Sequence, residues 1–212
     1  MTELDVFAAN RRAMVEHQLR GRGIHGARVL GAMMEVPRHL FVSAEQVDLA
    51  YEDCALPIGE GQTISQPYVV AWMLEALALR ADERALEVGA GSGYAAAILS
   101  RLARAVFAIE RDPALVDAAR RRLAAIGAAN VELAAGDGSR GWPERAPFDA
   151  ILVSAAAPRV PPALLEQLAA GGRLVGPVRS PQGDQSLLRI ERRADGGLDT
   201  RDLGAVQFVP LV

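Results

Sequence analysis

The stretch from residue 85 to residue 99 constrains the fold more than any other part of the chain. An apolar run over residues 85–88 predicts a buried strand, glycines follow at positions 89, 91 and 93, and residues 94–99 begin a helix. Glycine allows a positive φ and a close backbone approach, and a helix N-terminus presents unpaired N–H groups. This order of elements predicts a nucleotide-binding unit in an open α/β sheet.

The residues around these glycines indicate which nucleotide binds. A dinucleotide site has the spacing G-x-G-x-x-G, whereas here Gly93 comes one residue early and Tyr94 occupies the sixth position. Glu87 lies near the strand end, where its carboxylate would repel a pyrophosphate and attract a cation. S-adenosylmethionine carries a sulfonium and an ammonium but no phosphate, so the pattern favours it over NAD or ATP.

Two further acids follow the next two predicted strands. Glu110 follows the apolar run 105–109, where a carboxylate can bind both ribose hydroxyls, and Asp137 follows the strand 131–135, suited to the adenine amino group. Alternatively, each acid caps the next helix. We adopt that interpretation only for Asp112, which precedes Pro113.

Composition excludes several function classes. A length of 212 residues suits one domain. The net charge of −3 does not indicate the positively charged surface that binds nucleic acid or an anionic membrane. All 23 basic residues are arginine, so Schiff-base and P-loop lysine chemistry are absent. The single cysteine, Cys54, excludes an intrachain disulfide and a cysteine metal cluster, and we expect it to be half-buried.

The histidines and the N-terminal sequence give two further expectations. His17, His25 and His39 lack metal-site spacing, so we expect no metal. The chain begins without a basic segment followed by an apolar core, and we expect a cytoplasmic protein that acts as a monomer.

The first 45 or so residues have helical periodicity, broken at residues 21–23. Residues 51–67 lack that periodicity, which predicts a long loop containing several glycines. The apolar residues 67–79 predict a buried helix. Further on, the pattern predicts a helix from Pro113 that ends at Gly127, a strand over 148–154, a helix over about 162–168 and a strand over 173–178.

The tail predicts two antiparallel strands, 186–192 and 205–209, around a turn at 195–197. We therefore expect one domain over residues 1–212: an N-terminal helical lid and substrate loop (1–66), a cofactor-binding α/β core (67–178) and a C-terminal β-hairpin (179–212). This is the class I S-adenosylmethionine-dependent methyltransferase fold, a Rossmann-like doubly wound sheet with a C-terminal antiparallel β-hairpin and, here, N-terminal helices.

The segment after the fourth strand of the core indicates the class of acceptor. Enzymes that methylate amino groups of nucleic acids carry an Asn- or Asp-Pro-Pro-aromatic clamp there, whereas residues 153–158 read Val-Ser-Ala-Ala-Ala-Pro. The acceptor-facing residues are instead expected in the loop Thr63-Ile64-Ser65. A carboxylate acceptor is already ionised at pH 7 and needs positioning rather than a base.

From about Met14 to Leu211 the chain resembles bacterial protein-L-isoaspartate O-methyltransferases. The resemblance is carried by the motifs at residues 36–38, 41–42, 50–53, 61–67, 87–94, 136–138, 141–143, 146–149 and 208–211. The Thr-Ile-Ser loop and the closing Val-Pro-Leu are the motifs specific to this family.

The resemblance implies methyl transfer from S-adenosylmethionine to the free α-carboxylate of L-isoaspartyl residues in damaged proteins and peptides. The ester then closes to a succinimide, whose hydrolysis restores some normal aspartate. Ser65 is implied as the active-site residue, and Val209, Pro210 and Leu211 as holding the substrate backbone; Asp53 lies in a matching motif on the substrate side. The cofactor-binding residues are implied to be Thr63, Ile64, Ser65, Glu87, Gly89, Gly91, Ser92, Gly93, Glu110, Asp137 and Gly138.

Ser65 has two interpretations, which are compatible. Its hydroxyl would donate to one oxygen of the acceptor carboxylate, or it would cap the helix that begins near Pro67. Three other functions stay open for the whole chain: methylation of a small-molecule carboxylate or hydroxyl, non-catalytic binding of S-adenosylmethionine, and NAD-dependent oxidoreduction, which Glu87 and Tyr94 disfavour.

Overall fold

The structure, a computed structural model, describes residues 3–211. The N-terminal region is helical, as predicted, and Gly23 interrupts it with a φ of +96°. Its elements are α1 (Glu3–Ala13), a π-helical turn (Met14–Leu19), a 3-10 turn (Arg20–Arg22), α2 (Ala27–Glu35) and two further 3-10 turns (Arg38–Phe41 and Ala44–Leu49).

The segment between residues 51 and 67 contains a β-hairpin, so the predicted loop was wrong. β1 (Leu56–Gly59) pairs antiparallel with β2 (Gln62–Ile64). Glu60 and Gly61 form the turn with φ values of +51° and +68°, the positive values that a two-residue type I′ turn requires. These strands are short and punctuated by proline and glycine, so the sequence shows no alternation there. Cys54, just before β1, is exposed rather than half-buried.

Strands and helices then alternate along the rest of the chain. The elements are α3 (Pro67–Leu77), β3 (Arg84–Val88), α4 (Tyr94–Leu102), β4 (Ala105–Glu110), α5 (Pro113–Ala125), β5 (Val131–Ala135), β6 (Phe148–Val153), α6 (Pro162–Glu166), β7 (Leu168–Arg179), β8 (Gln185–Arg192) and β9 (Leu198–Ala205). α6 is shorter than predicted, because β7 begins at Leu168, which pairs with Phe148, rather than at Arg173.

Within the described residues, β3 to β9 form one seven-stranded sheet in the order β5-β4-β3-β6-β7-β8-β9. The first five strands in this order are parallel, and β8 and β9 are antiparallel additions. The predicted class I methyltransferase fold is therefore confirmed. Because β3 and its neighbours are parallel, their carboxyl ends meet at one edge of the sheet.

The two faces of the sheet are covered by different elements. Ala85 on β3 packs with the N-terminal helices, α3, α4 and α5, whereas Leu86 and Val88 pack with α6 on the other face. The strand alternation places the Glu87 side chain on the α3 and α4 face. No helix between residues 3 and 211 is long and apolar enough to cross a lipid bilayer.

The second strand of the C-terminal hairpin is β9, so the prediction of a strand over residues 205–209 was wrong. β9 lies at the sheet edge and most of its side chains are exposed. Its backbone hydrogen bonds to β8 hold it in place, and its sequence therefore lacks the apolar residues that mark a buried strand. The apolar residues after Ala205 turn instead toward the end of β6.

A buried ion pair ties the amino-terminal end of β3 to β7. The Arg173 guanidinium donates to both carboxylate oxygens of Glu83 at 2.8 Å and to the carbonyls of Leu77 and Ala78, also at 2.8 Å. Both ionised side chains are almost completely buried, with 6% and 2% of their surface exposed. Arg173 therefore also supplies donors to the otherwise unpaired carbonyls at the end of α3.

We expect Arg173→Met to lower the free energy of unfolding by about 3 kcal/mol, because breaking a buried pair leaves the remaining charge without its partner. The value lies at the low end of the usual range because Arg80 still pairs with Glu83 at 2.8 Å. Urea denaturation of both proteins measures the difference. Double replacement with Glu83→Gln should recover part of the loss; a single variant as stable as the parent would contradict this role.

Candidate active site

The glycine loop after β3 has the backbone that its sequence predicts. Gly89, Gly91 and Gly93 have φ values of +83°, +52° and +87°, which residues with side chains rarely adopt. A Cβ at Gly93 would lie 3.1 Å from the Cβ of Ala119 on α5. The loop is thus held against both α5 and the end of β4, where the Ile109 carbonyl accepts from the N–H of Gly89 at 2.9 Å.

A cleft of about 380 Å³ opens beside this loop at the carboxyl edge of the sheet. Six regions of the chain meet there: the β1–β2 hairpin, the glycine loop, the end of β4, the segment after β5, the segment after β6 and the C-terminal tail. The lining includes the predicted site residues Thr63, Gly89, Gly91, Glu110, Gly138, Val209, Pro210 and Leu211.

A smaller cavity of about 40 Å³ adjoins the cleft. Thr63, Gly89, Gly91 and Ser154 line both spaces. The smaller cavity also brings together the predicted residues Ile64, Ser65, Glu87 and Ser92. Ser65, which we expect to contact the methyl acceptor, thus lines the same cavity as Glu87, which we expect to contact the cofactor.

Glu87 is buried without an ionic partner. The residue is only 1% exposed, its Oε2 has no hydrogen-bond partner among the described residues, and its Oε1 accepts from the Ser154 hydroxyl at 3.4 Å. Burial raises the pKa of Glu87 to about 8, and the negative charge of Glu110 adds to the effect. The carboxyl group is therefore largely protonated at pH 7, and a cation bound beside it would favour its ionised form.

Glu110 is fixed at the edge of the cleft by two backbone donors. Its Oε2 accepts from the N–H of Gly91 at 2.8 Å and its Oε1 from the N–H of Asp112 at 2.9 Å. The carboxylate is thereby oriented before any ligand arrives, with further acceptor capacity on each oxygen. Asp112 itself caps α5 as predicted, accepting from the N–H groups of Ala114 at 2.8 Å and Leu115 at 3.2 Å.

Asp137 is exposed and caps a short 3-10 turn, Gly138–Arg140. Its Oδ1 accepts from the Ser139 N–H at 2.9 Å and the Ser139 hydroxyl at 2.7 Å, and these bonds lower the pKa of Asp137. Asp137 therefore caps this turn, and the capping hydrogen bonds use one of its two carboxylate oxygens. The adjacent Gly138 lines the cleft, where a Cβ would lie 2.5 Å from Val88.

The structure excludes one of the two interpretations of Ser65, the one in which its hydroxyl caps α3. The N-cap residue of α3 is Gln66, and no side-chain hydrogen bond caps this helix within the described part of the chain, so the capping role was wrong. Ser65 is half-buried, and its carbonyl accepts from the Arg38 guanidinium at 2.8 Å. Its hydroxyl is thus not committed to the helix.

The tail is held at the cleft by backbone pairing with the segment after β6. The Val209 carbonyl accepts from the Ala156 N–H, and the Leu211 N–H donates to the Ala156 carbonyl, each at 2.8 Å. Pro210 forms an isolated parallel bridge with Ala156. These three residues therefore lie beside the cleft, although they do not continue the C-terminal hairpin, and their role in substrate binding stays a prediction.

Asp53 lies apart from the residues that line the two spaces. Its Oδ2 pairs with Arg22, whose guanidinium lies 3.8 Å from the centroid of the Tyr68 ring. Its Oδ1 is buried and has no partner among the described residues. The role of Asp53 in substrate binding stays a prediction.

The residues of the site that sequence reasoning missed include Ser154 and Arg111. Ser154 lies between the two spaces and approaches Glu87, and Arg111 lines the cleft beside Glu110. Their positions directly after the ends of β6 and β4 are the signal that could have identified them, because the carboxyl ends of parallel strands carry the ligand contacts in such sheets. In the described part of the chain, no three or more His, Cys, Asp or Glu side chains are grouped so as to hold a metal ion.

Comparisons with known proteins show the family of the chain. The chain is 60% identical over 204 residues to a protein-L-isoaspartate O-methyltransferase from Methylorubrum populi, covering 96% of this chain and 95% of that protein. It is 51% identical over 210 residues to one from Methanoculleus marisnigri, covering 99% and 94%.

Among solved structures, one from Plasmodium falciparum, described as a putative protein-L-isoaspartate O-methyltransferase in complex with S-adenosyl-L-homocysteine, superposes with a TM-score of 0.85 at 26% identity. That match covers 95% of this chain and 98% of the other. A second protein-L-isoaspartate O-methyltransferase gives a TM-score of 0.86 at 28% identity, and the match covers 94% of this chain and 65% of that one.

The family model for protein-L-isoaspartate(D-aspartate) O-methyltransferase matches residues 9–212, nearly the whole chain. The curated relatives and the two solved structures carry the same name. This chain belongs to the protein-L-isoaspartate(D-aspartate) O-methyltransferase family.

Proposed function

We propose that this chain transfers a methyl group from S-adenosylmethionine to the free α-carboxylate of L-isoaspartyl residues in damaged proteins and peptides. The observation that carries the proposal is the cavity shared by Ser65 and Glu87 in a chain of this family. The product ester closes to a succinimide, which hydrolyses in part to normal aspartate, so the reaction begins a repair.

The residues at the cleft fit S-adenosylmethionine. Glu87, buried with one unpartnered oxygen, would face its cationic end; the glycine loop would let the cofactor lie close to the backbone; and Glu110 would accept from the ribose hydroxyls. Gly138 and the second oxygen of Asp137 would meet the adenine, and Thr63, Ile64 and Ser92 would complete the lining. When bound, this cofactor supplies a methyl group already activated by its sulfonium.

The protein's own contribution is to orient the acceptor. A carboxylate is ionised at pH 7, so the reaction needs no base, and Ser65 need not be a nucleophile. We infer that the Ser65 hydroxyl donates to one acceptor oxygen, which leaves the other to receive the methyl group. Partial removal of water from that carboxylate in the half-enclosed cavity increases its reactivity.

The remaining features of the proposal concern the partner. Val209, Pro210 and Leu211 would hold the substrate backbone beside the cleft. The net charge of −3 suits peptide substrates better than nucleic acid or an anionic membrane, and we infer that a cytoplasmic monomer acts without a metal.

The test is methyl transfer from labelled S-adenosylmethionine to two synthetic peptides that differ only in one isoaspartyl or normal aspartyl residue. We expect base-labile label on the isoaspartyl peptide and background label on the other. Transfer to neither peptide by a protein that still binds S-adenosylhomocysteine would overturn the substrate assignment and direct the search to small-molecule carboxylates and hydroxyls. Equal transfer to both would overturn the selectivity.

A further inference from the structure

Arg38 is a buried cation that the protein does not neutralise. Two arginines lie almost wholly inside the described structure, Arg38 with 0% and Arg173 with 5% of its surface exposed. Arg173 forms the ion pair with Glu83 described above, whereas none of the carboxylates that the structure describes between residues 6 and 211 forms an ion pair with Arg38. Burial lowers the pKa of Arg38, but a guanidinium remains protonated in proteins.

The Arg38 guanidinium joins three segments around the candidate site. Its Nε donates to the Ala50 carbonyl and its Nη2 to the Ser65 carbonyl, each at 2.8 Å. Its Cζ lies 4.8 Å from the centroid of the Tyr94 ring, at the first residue of α4. Ser65 and Tyr94 both line the small cavity that Glu87 also lines. The charge is thus one hydrogen bond away from the backbone of Ser65.

Two carbonyl oxygens do not by themselves require a charged donor. A neutral amide could donate to them without the desolvation cost of a buried charge, and the Nη1 of Arg38 is buried with no partner among the described residues. Two properties distinguish arginine: a rigid planar fork that holds two acceptors in fixed geometry, and a permanent positive charge. The first would fix the Ser65 loop, and the second would attract an anion bound beside it.

We propose that Arg38 is the positioning residue for the acceptor carboxylate, fixing Ser65 through its carbonyl and stabilising the bound anion through an unneutralised positive charge. The inference rests on the proposed function, because it requires an anionic acceptor at Ser65. It also gives two buried ionisable groups complementary roles: Glu87 would ionise beside the cationic cofactor, and Arg38 would stabilise the anionic acceptor.

The test compares Arg38→Lys, which keeps the charge but loses the fork, with Arg38→Gln, which loses the charge. In each variant, binding to the protein saturated with S-adenosylhomocysteine is measured for an isoaspartyl peptide and for its neutral isoasparaginyl analogue. We expect the preference for the isoaspartyl peptide to fall about tenfold in Arg38→Gln and to persist in Arg38→Lys. Both variants should have a lower kcat, with the KM for S-adenosylmethionine within about twofold of the parent.

Arg173→Lys is the matched control, since it makes the same change at the other buried arginine. It should lower the melting temperature and leave the peptide preference and kcat unchanged. Arg38→Lys tests the positioning role even if Arg38→Gln does not fold, because a parental kcat in the lysine variant would overturn the positioning role. An unchanged preference in a folded Arg38→Gln would overturn the role of the charge.

Methylation of the isoaspartyl peptide by the parent protein distinguishes failure of this inference from failure of the proposed function. Failure of the parent to methylate the isoaspartyl peptide would overturn the proposed function. A parent that methylates the peptide, together with Arg38 variants that keep both its kcat and its peptide preference, would overturn only the inference about Arg38.

Discussion

Ser65→Ala is expected to lower the kcat for an isoaspartyl peptide about 10- to 100-fold, the range that results from losing one hydrogen bond to a charged group. The dissociation constant of S-adenosylhomocysteine should stay within about twofold. The reason is that the Ser65 hydroxyl faces the acceptor in this mechanism, while Glu87, Glu110 and the glycine loop hold the cofactor. Steady-state kinetics and calorimetric titration measure the two quantities separately.

Ser186→Ala is the matched control for this experiment. Ser186 is half-buried, as Ser65 is, but it lies on β8, outside the lining of the cleft and the small cavity. Its replacement should leave kcat unchanged. Equal losses of turnover and of cofactor affinity in Ser65→Ala would contradict an orienting role and would indicate that Ser65 shapes the cofactor site instead.

Glu87→Gln is expected to weaken S-adenosylmethionine binding and to remove its dependence on pH. With a pKa of about 8 in the ligand-free protein, Glu87 must lose a proton when a cation binds beside it. Affinity of the parent should therefore rise about tenfold per pH unit between pH 6 and 7.5. At pH 8 the glutamine variant should bind S-adenosylmethionine about 10- to 100-fold more weakly than the parent. The affinities of the two proteins should become similar as the pH falls toward 6.

The same substitution should have the opposite effect on the stability of the ligand-free protein. The pKa of Glu87 is raised from an ordinary value of 4.5 to about 8, so its stabilising contribution is fully present below 4.5 and is lost as pH rises through about 8. Glutamine cannot ionise. The variant should thus exceed the parent by about 3–5 kcal/mol in free energy of unfolding at pH 8.5 and match it near pH 4.5.

Glu144→Gln is the control, because Glu144 is exposed and lies in the 3-10 turn Pro143–Arg145 away from the cavities. It should change neither the pH dependence of binding nor that of stability. Calorimetry in two buffers of different ionisation enthalpy gives the number of protons released on binding. A parent that releases no proton at pH 6.5 would show that Glu87 is already ionised or does not respond to the cofactor.

Local patterns in the sequence predicted the backbone of the glycine loop and the cap of α5. The glycines at 89, 91 and 93 have the positive φ values that their spacing implied, and Asp112 caps α5 as its position before Pro113 indicated. Both features depend on backbone conformations and hydrogen bonds within a few residues. A contiguous stretch of sequence therefore contains all the information that they need.

Elements held by pairing rather than by apolar side chains were harder to predict. β9 has mostly exposed side chains and is stabilised by its bonds to β8, and the β1–β2 hairpin depends on a turn with positive φ at Glu60. Neither has the apolar alternation that marks a half-buried strand. Their existence depends on a partner strand, which a local pattern does not contain.

By itself, the sequence determined the class of fold, the glycine loop and the acids at the strand ends, because strand periodicity, glycine conformation and helix capping are local properties. Only the tertiary structure decided that Ser65 and Glu87 share a cavity, that Glu87 has a raised pKa and that Arg38 is buried without a counterion among the described residues. Burial and the absence of a partner depend on every segment packed around a side chain. Those segments are far apart in the chain and meet only when it folds.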